Sequence, residues 1–412
     1  MMRLSKNNQL GSLIKQSPED FIVEEITKTG KVLEVNRTFT PQELGMNEDP
    51  EGKFVTFILQ KKDWNTLQAL NEIARMTHRG MRSVSFAGTK DRTAVSTQLC
   101  SIYGADKNRL ASTHIKDIKI NAAWQSSEGV KMGELLGNRF TIAIKNIKGD
   151  ISSIKRISEE LDGLFPNYFG EQRFGIRSNN FNIGVSILKG DFESCAMNFL
   201  TDTTNERNLD SIEARERLAK ERDFVAAMDY FPGYLKYERS VIQYLSQYPT
   251  DFANAMRKLP RQLMLMFVHS VESMIFNMEI EERIKSQGTD PIDGDVICGR
   301  NAFGFPDFSS VPDNGKGFIL GNIVGYQSEK LNEIEMGIME KIGISKESFK
   351  VSNMPELNCK GSRRVLFAPF NGFSTSEENN GVRFSFSLPS GSYATVLLDE
   401  FVKSNQAEHG TV

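Results

Sequence analysis

Alternating apolar and polar positions mark the first part of the chain as strand-rich. SPEDFIVEEI and KFVTFILQ join turn-formers to branched and aromatic runs, a composition that favours strands over helix; the first reads as a polar turn leading into an edge strand. A helix follows: Asn65 or Thr66 can cap it, Leu67, Leu70, Ile73 and Ala74 form one apolar face, and Gly80 stands where a left-handed stop is expected. SVSFAG has the strand period and AVSTQLCSIYG resumes strand-like composition, so the loop carrying Asp91 joins two strands. On such a loop a side chain reaches a ligand while the strands hold the backbone still.

From about Ser178 to Pro355 helical periodicity takes over, as in PRQLMLMFVHSVESMIFNMEI, where Met264, Phe267, Val268, Val271 and Ile275 form a stripe of the kind that packs into a core. After Pro355, strand-like runs return in RRVLFAPF, RFSFSL and SYATVLLDEF, although LPSGSYATVLLDEF by itself also reads as a turn followed by a helix. A β-rich start, a helical middle and a β-rich end predict one catalytic domain built from residues 1–177 and 356–412, with a second domain inserted at 178–355.

Composition narrows the class without choosing a function. The 412 residues are 39% hydrophobic and 25% charged, as in an ordinary globular protein long enough for two domains. A formal net charge of −3 argues against indiscriminate nucleic-acid or membrane binding but leaves room for a local basic cleft. Lys and Arg outnumber Asp and Glu between Lys53 and Arg92, around Asp91, and the sign reverses between Asp191 and Asp229. A polyanion is therefore drawn to the first neighbourhood and repelled from the second.

Cys100, Cys195, Cys298 and Cys359 lie far apart, with no disulfide or zinc-knuckle spacing, which fits a reducing compartment. His78, His114, His269 and His409 show no HxxxH or HxH spacing, so no metal site is expected. Without the apolar core of a signal peptide or a membrane-spanning window, the chain is expected to be cytoplasmic, with no membrane association.

The chemistry centres on SFAGTKDRTAVSTQ, Ser85–Gln98. A nucleotide-binding P-loop needs two glycines flanking four residues, then Lys-Ser/Thr and a helix; here one glycine precedes Thr-Lys-Asp and a strand follows. Paired-carboxylate hydrolysis needs a second acid, which the neighbours Lys90 and Arg92 do not supply. Basic neighbours favour the ionised carboxylate, which suits a nucleophile; a surface ion pair explains the same residues equally well. GNRF (Gly137–Phe140) pairs a carboxamide with an aromatic, and NYFGEQRFG (Asn167–Gly175) interleaves aromatics with Gln172 and Arg173, a composition suited to stacking on bases and meeting phosphates, or to a packed domain corner.

The succession IKQSPEDFIVEE, FAGTKDRTAVSTQ, GNRF, NYFGEQRFG, PGYLKYERSV and LPSGSYATVLL closely resembles the TruD family of pseudouridine synthases over nearly the whole chain, and its length and GTKDR form look more like the archaeal branch. The resemblance implies an α+β fold: a mixed, largely antiparallel pseudouridine-synthase sheet with helices, plus an inserted α/β TRUD domain. It implies isomerisation of a uridine in tRNA, usually uridine 13, by base flipping, with no cofactor and no obligatory protein partner, in a monomer. Asp91 falls on the family's nucleophile and Lys15 on a basic residue beside it. Asn138 and Phe140 match the GN-x-F motif of the uracil pocket, Phe21 and Glu24 shape that pocket from behind, and Gln172 and Arg173 contact RNA or dock the inserted domain. Lys90 and Arg92 are then expected to tune the loop or meet RNA phosphates. The rival readings are a non-catalytic RNA binder, which has no need of Lys15, Asp91, Asn138 and Phe140 together, and a phosphate-ester enzyme using Asp91 to hold a metal, which needs more acids converging on the site.

Overall fold

The computed structural model describes residues 1–7, 9–14, 17–312, 317–378 and 381–404. The chain forms two compact units, one of residues 3–166, 298–317 and 367–412 and the other of residues 1–2, 167–297 and 318–366. Helices and a largely antiparallel sheet make an α+β protein.

The first unit is organised by a ten-stranded sheet. Its strands are β1 (Leu10–Ile14), β2 (Phe21–Thr27), β3 (Phe54–Lys62), β4 (Val84–Phe86), β5 (Val95–Tyr103), β6 (Ile118–Ser126), β7 (Leu135–Lys148), β8 (Asn371–Glu378), β9 (Gly381–Pro389) and β10 (Val402–Ser404). The order is β8-β9-β7-β2-β5-β3-β6, with β1 pairing β7 and β10, and β4 pairing β5. Among the described residues of this sheet, β2 with β5 and β1 with β10 run parallel and the other pairs antiparallel. The sheet is thus made from both ends of the chain. The chain first leaves this unit after Pro166 and last re-enters it at Phe367, and those two residues face each other in a short antiparallel ladder.

β2 is not an edge strand as its polar turn suggested, because it lies between β7 and β5 and nearly every residue in it is buried. β3 is buried on both faces. Val55, Phe57 and Leu59 pack under a helix, α1 (Thr66–Met76), with Ala69, Leu70 and Ile73, while Ile58 packs on the other side with Leu33, Leu99 and Trp124. Asn65 caps α1 by accepting from the Leu67 amide at 2.9 Å. Two expectations for α1 are corrected. Leu67 points to solvent and Thr66 and Ala69 take its place on the buried face, while the left-handed turn after the helix falls at His78 (φ 54°) and not at Gly80 (φ −95°). Near the C-terminus Ala394–Phe401 is a helix, not a strand, since its buried Ala394, Val396–Leu398 and Phe401 make a contiguous helical face.

The second unit is helical, and its core gathers on Arg261–Ser286, where Phe267, Val268, Val271 and Ile275 are buried as the stripe predicts. This helix is long and apolar enough to cross a membrane by composition alone. About two-thirds of its most apolar window is buried within the unit, the environment of a core helix. A two-stranded antiparallel ladder of Phe318–Ile323 with Ser362–Val365 packs beside it.

Candidate active site

Asp91 lies on the loop between β4 and β5 and is exposed. The segment beneath it is held from four directions. Lys61, at the end of β3, is fully buried and donates through Nζ to the Asp91 carbonyl at 2.8 Å. Thr66, in the first turn of α1, accepts from the Lys90 amide at 3.0 Å, and its hydroxyl faces the Lys90 carbonyl and Gln98 Oε1, each at 3.2 Å. Gln98 on β5 donates to the Gly88 carbonyl at 3.1 Å. Lys90 turns inward, and its Nζ lies 2.6 Å from Glu25 Oε2 on β2, with both side chains almost wholly buried. Glu25 also accepts from the Leu99 amide at 3.0 Å. Each bond satisfies a group that burial would otherwise leave unpaired.

Of the two roles expected of Lys90, tuning the loop or meeting RNA phosphates, its inward turn leaves the first, because a desolvated ammonium committed to a buried carboxylate has no outward reach. Arg92 is different: its side chain is 61% exposed, and among the described residues its ion-pair contact is with Asp63 at 3.8 Å. Lys15 lies outside the described residues. Burial lowers the Lys61 ammonium to about 8, against the pull of Asp91, while Lys90 pushes in the same direction as burial.

GNRF lies within β7, directly beside β2 and β9. Glu25, Asn138 and Leu388 are cross-strand partners, as are Val23, Phe140 and Phe386. Because side chains two apart on a strand share a face, Asn138, Phe140 and Glu25 stand on one side of the sheet. The Lys90–Glu25 pair therefore ties the residue before Asp91 to the strand position opposite Asn138. Asn138 Oδ1 is buried and has no hydrogen-bond partner among the described residues. The Phe140 ring meets Phe21 edge-on at 6.1 Å and Phe386 nearly face-to-face at 5.6 Å. Gly137 is required because a Cβ there would collide with the Leu388 carbonyl.

Glu24 faces the opposite side of β2 and is fully employed, accepting from the Val35 amide at 2.9 Å and from Arg139 Nε at 2.7 Å. That places it in the scaffold, not among groups able to contact a base. Lys61, Thr66, Glu25 and Phe386 were missed as site residues. The signal for two of them was register: Lys61 continues the buried row Val55, Phe57, Leu59, and Glu25 continues Phe21, Val23.

Gln172 and Arg173 belong to the helical unit. Gln172 is exposed, while Arg173 is half-buried, donates to Ser273 Oγ at 3.1 Å and stacks over Phe169, which Arg364 also covers. That unit also contains His269, Glu272 and Cys359, whose ligating atoms lie within 4.8 Å of one another and could hold a metal ion. Here His269 Nδ1 lies 2.6 Å from Glu272, and burial with the Glu272 charge pushes the Cys359 thiol up to about 12.

Residues 1–401 match the family model of tRNA pseudouridine synthase D (TruD). The chain belongs to the TruD family. TruD proteins are tRNA pseudouridine synthases, isomerases of uridine in tRNA. A probable tRNA pseudouridine synthase D of Methanococcoides burtonii is 33% identical, with 97% of this chain and 94% of the relative covered. A probable tRNA pseudouridine synthase D of Methanococcus maripaludis is 37% identical, with 94% of each covered. The crystal structure of the putative TruD of Methanosarcina mazei superposes with a TM-score of 0.79 at 31% identity, covering 97% of this chain and 95% of that one. These TruD relatives are archaeal, in line with the lineage that the GTKDR motif suggests.

Proposed function

We propose that Asp91 is the nucleophile of this TruD enzyme and that the target is uridine 13 of tRNA. The carboxylate attacks the target nucleoside at C1′ as the bond from C1′ to N1 breaks, the uracil turns, and the carboxylate leaves C1′ as the bond from C1′ to C5 forms. N1 gains a proton and C5 gives one up, so no net oxidation occurs. The observation that carries this reading is the buried Lys90–Glu25 pair, which fixes the Asp91 loop against the strand position opposite Asn138.

The flipped base has to be unstacked at a cost of a few kcal/mol, recovered from a pocket that stacks it and bonds its edge. Asn138 Oδ1, buried without a partner among the described residues, suits the N3–H of uracil, since an unpaired buried acceptor is costly until a ligand fills it. Phe140 offers the ring, with Phe21 and Phe386 fixing its tilt. Arg92 meets tRNA phosphates, and Gln172 and Arg173 contact tRNA. The enzyme is read as a cytoplasmic monomer. Mapping pseudouridines in tRNA incubated with wild-type and Asp91→Ala protein tests both claims: modification at position 13 that disappears in the variant is expected, and conversion by Asp91→Ala would overturn the nucleophile assignment.

A further inference from the structure

We propose that Lys61 is a positioning residue for the isomerisation: its buried ammonium clamps the Asp91 backbone and supplies the positive charge facing the nucleophile from beneath the loop. This rests on Asp91 being the nucleophile. Lys61 occupies a register that the fold would fill with an apolar side chain, since Val55, Phe57 and Leu59 precede it on the same face of β3 and are all fully buried. Its Nζ donates to the Asp91 carbonyl at 2.8 Å and lies 3.5 Å from that of Lys90. A charge in such a place is costly, and packing alone gives no reason to keep it.

The titratable groups facing Lys61 divide by sign. Asp91 and Asp63 favour the ammonium and Lys90 opposes it, while the Cys100 thiol on β5 is held neutral by full burial. Thr66 on α1 and Ser96, the cross-strand neighbour of Lys61 on β5, are uncharged. Since burial has already brought the ammonium down to about 8, mild alkali neutralises it. Activity should then fall on the alkaline side as the clamp loses its charge.

Single-turnover pseudouridine formation with Lys61→Met and Lys61→Arg, followed from neutral to alkaline pH beside tRNA affinity and Tm, tests this. Lys61→Met is expected to lose about 10- to 100-fold in rate, the scale of a misplaced reacting group, with tRNA affinity unchanged and Tm equal to or above wild type. The wild-type rate is expected to decline above about pH 8, and Lys61→Arg to move that decline to higher pH. A Lys61→Met rate within roughly threefold of wild type with the same alkaline decline overturns the inference, as does a loss of rate that only tracks lowered Tm and lost tRNA binding. If Lys61→Met does not fold, Lys61→Arg decides: an unmoved decline overturns the inference. Asp91→Ala run in parallel separates the two claims. Activity there sinks the nucleophile reading, whereas an inactive Asp91→Ala beside a fully active Lys61→Met sinks only the role of Lys61.

Discussion

Both units bury ionisable side chains, but they use them differently. In the helical unit they close structural joints: Arg215 meets Glu238 at 2.6 Å, Arg283 meets Asp295 at 2.6 Å, and Glu279 and Glu335 share the bonds of Asn332 and Asn322. In the sheet unit Lys61, Lys90 and Glu25 converge beneath one exposed loop, together with Thr66 and Gln98. Spread through a core, buried charge is tolerated wherever it finds a partner; concentrated under Asp91, it fixes the position of one carboxylate. Lys61 illustrates the cost. Its folded-state pKa of about 8 lies below the ordinary 10.5, a difference on the order of 3 kcal/mol near neutral pH at ~1.4 kcal/mol per pH unit. The sign follows from proton binding: the folded protein sheds this proton first, so the penalty shrinks as pH climbs from about 8 towards 10.5.

Breaking the anchor should produce the largest effect on stability. Lys90→Met strands the Glu25 carboxylate in the core, which should lower stability by about 3–5 kcal/mol in urea unfolding and abolish measurable turnover. A variant as stable as wild type would show that the pair does not hold the loop. The helical unit should respond in the opposite sense. Burial, reinforced by the Glu335 charge, holds the Glu279 carboxyl well above its ordinary range, so its stabilising contribution is complete at pH below the unfolded value and is lost as pH rises through the folded one. Glu279→Gln keeps the acceptor for Asn332, so it should raise stability at neutral pH by about 1–2 kcal/mol and flatten the decline towards alkaline pH in thermal melts. The smallest effect on the fold belongs to Arg92→Ala. Stability should stay within about 0.5 kcal/mol, while the slope of log tRNA affinity against log salt falls by about one; an unchanged slope would remove Arg92 from the phosphate contacts.

Much of the frame was legible in residue pattern. The strands flanking Asp91, the cap at Asn65 and the apolar stripe of Arg261–Ser286 all follow from local periodicity, which is a property of neighbouring residues. What periodicity could not show was that β2 is central, because strand order depends on contacts far apart in sequence. The same limit hid the anchors. Lys and Glu ordinarily face solvent, and only their tertiary partners, Asp91 and Lys90 on the loop between β4 and β5, reveal why Lys61 and Glu25 are buried. Asp91, Asn138 and Phe140 came from motif resemblance, whereas Phe386 emerged from its cross-strand pairing with Phe140.

The central claim is that this scaffold exists to present one carboxylate. Asp91→Asn keeps the side-chain shape and the backbone bond from Lys61 while removing the charge, so it isolates that claim. Under single-turnover conditions with tRNA, the expected result is no pseudouridine above background, with tRNA binding and Tm unchanged. Pseudouridine formed by Asp91→Asn at a rate near that of wild type would contradict the account.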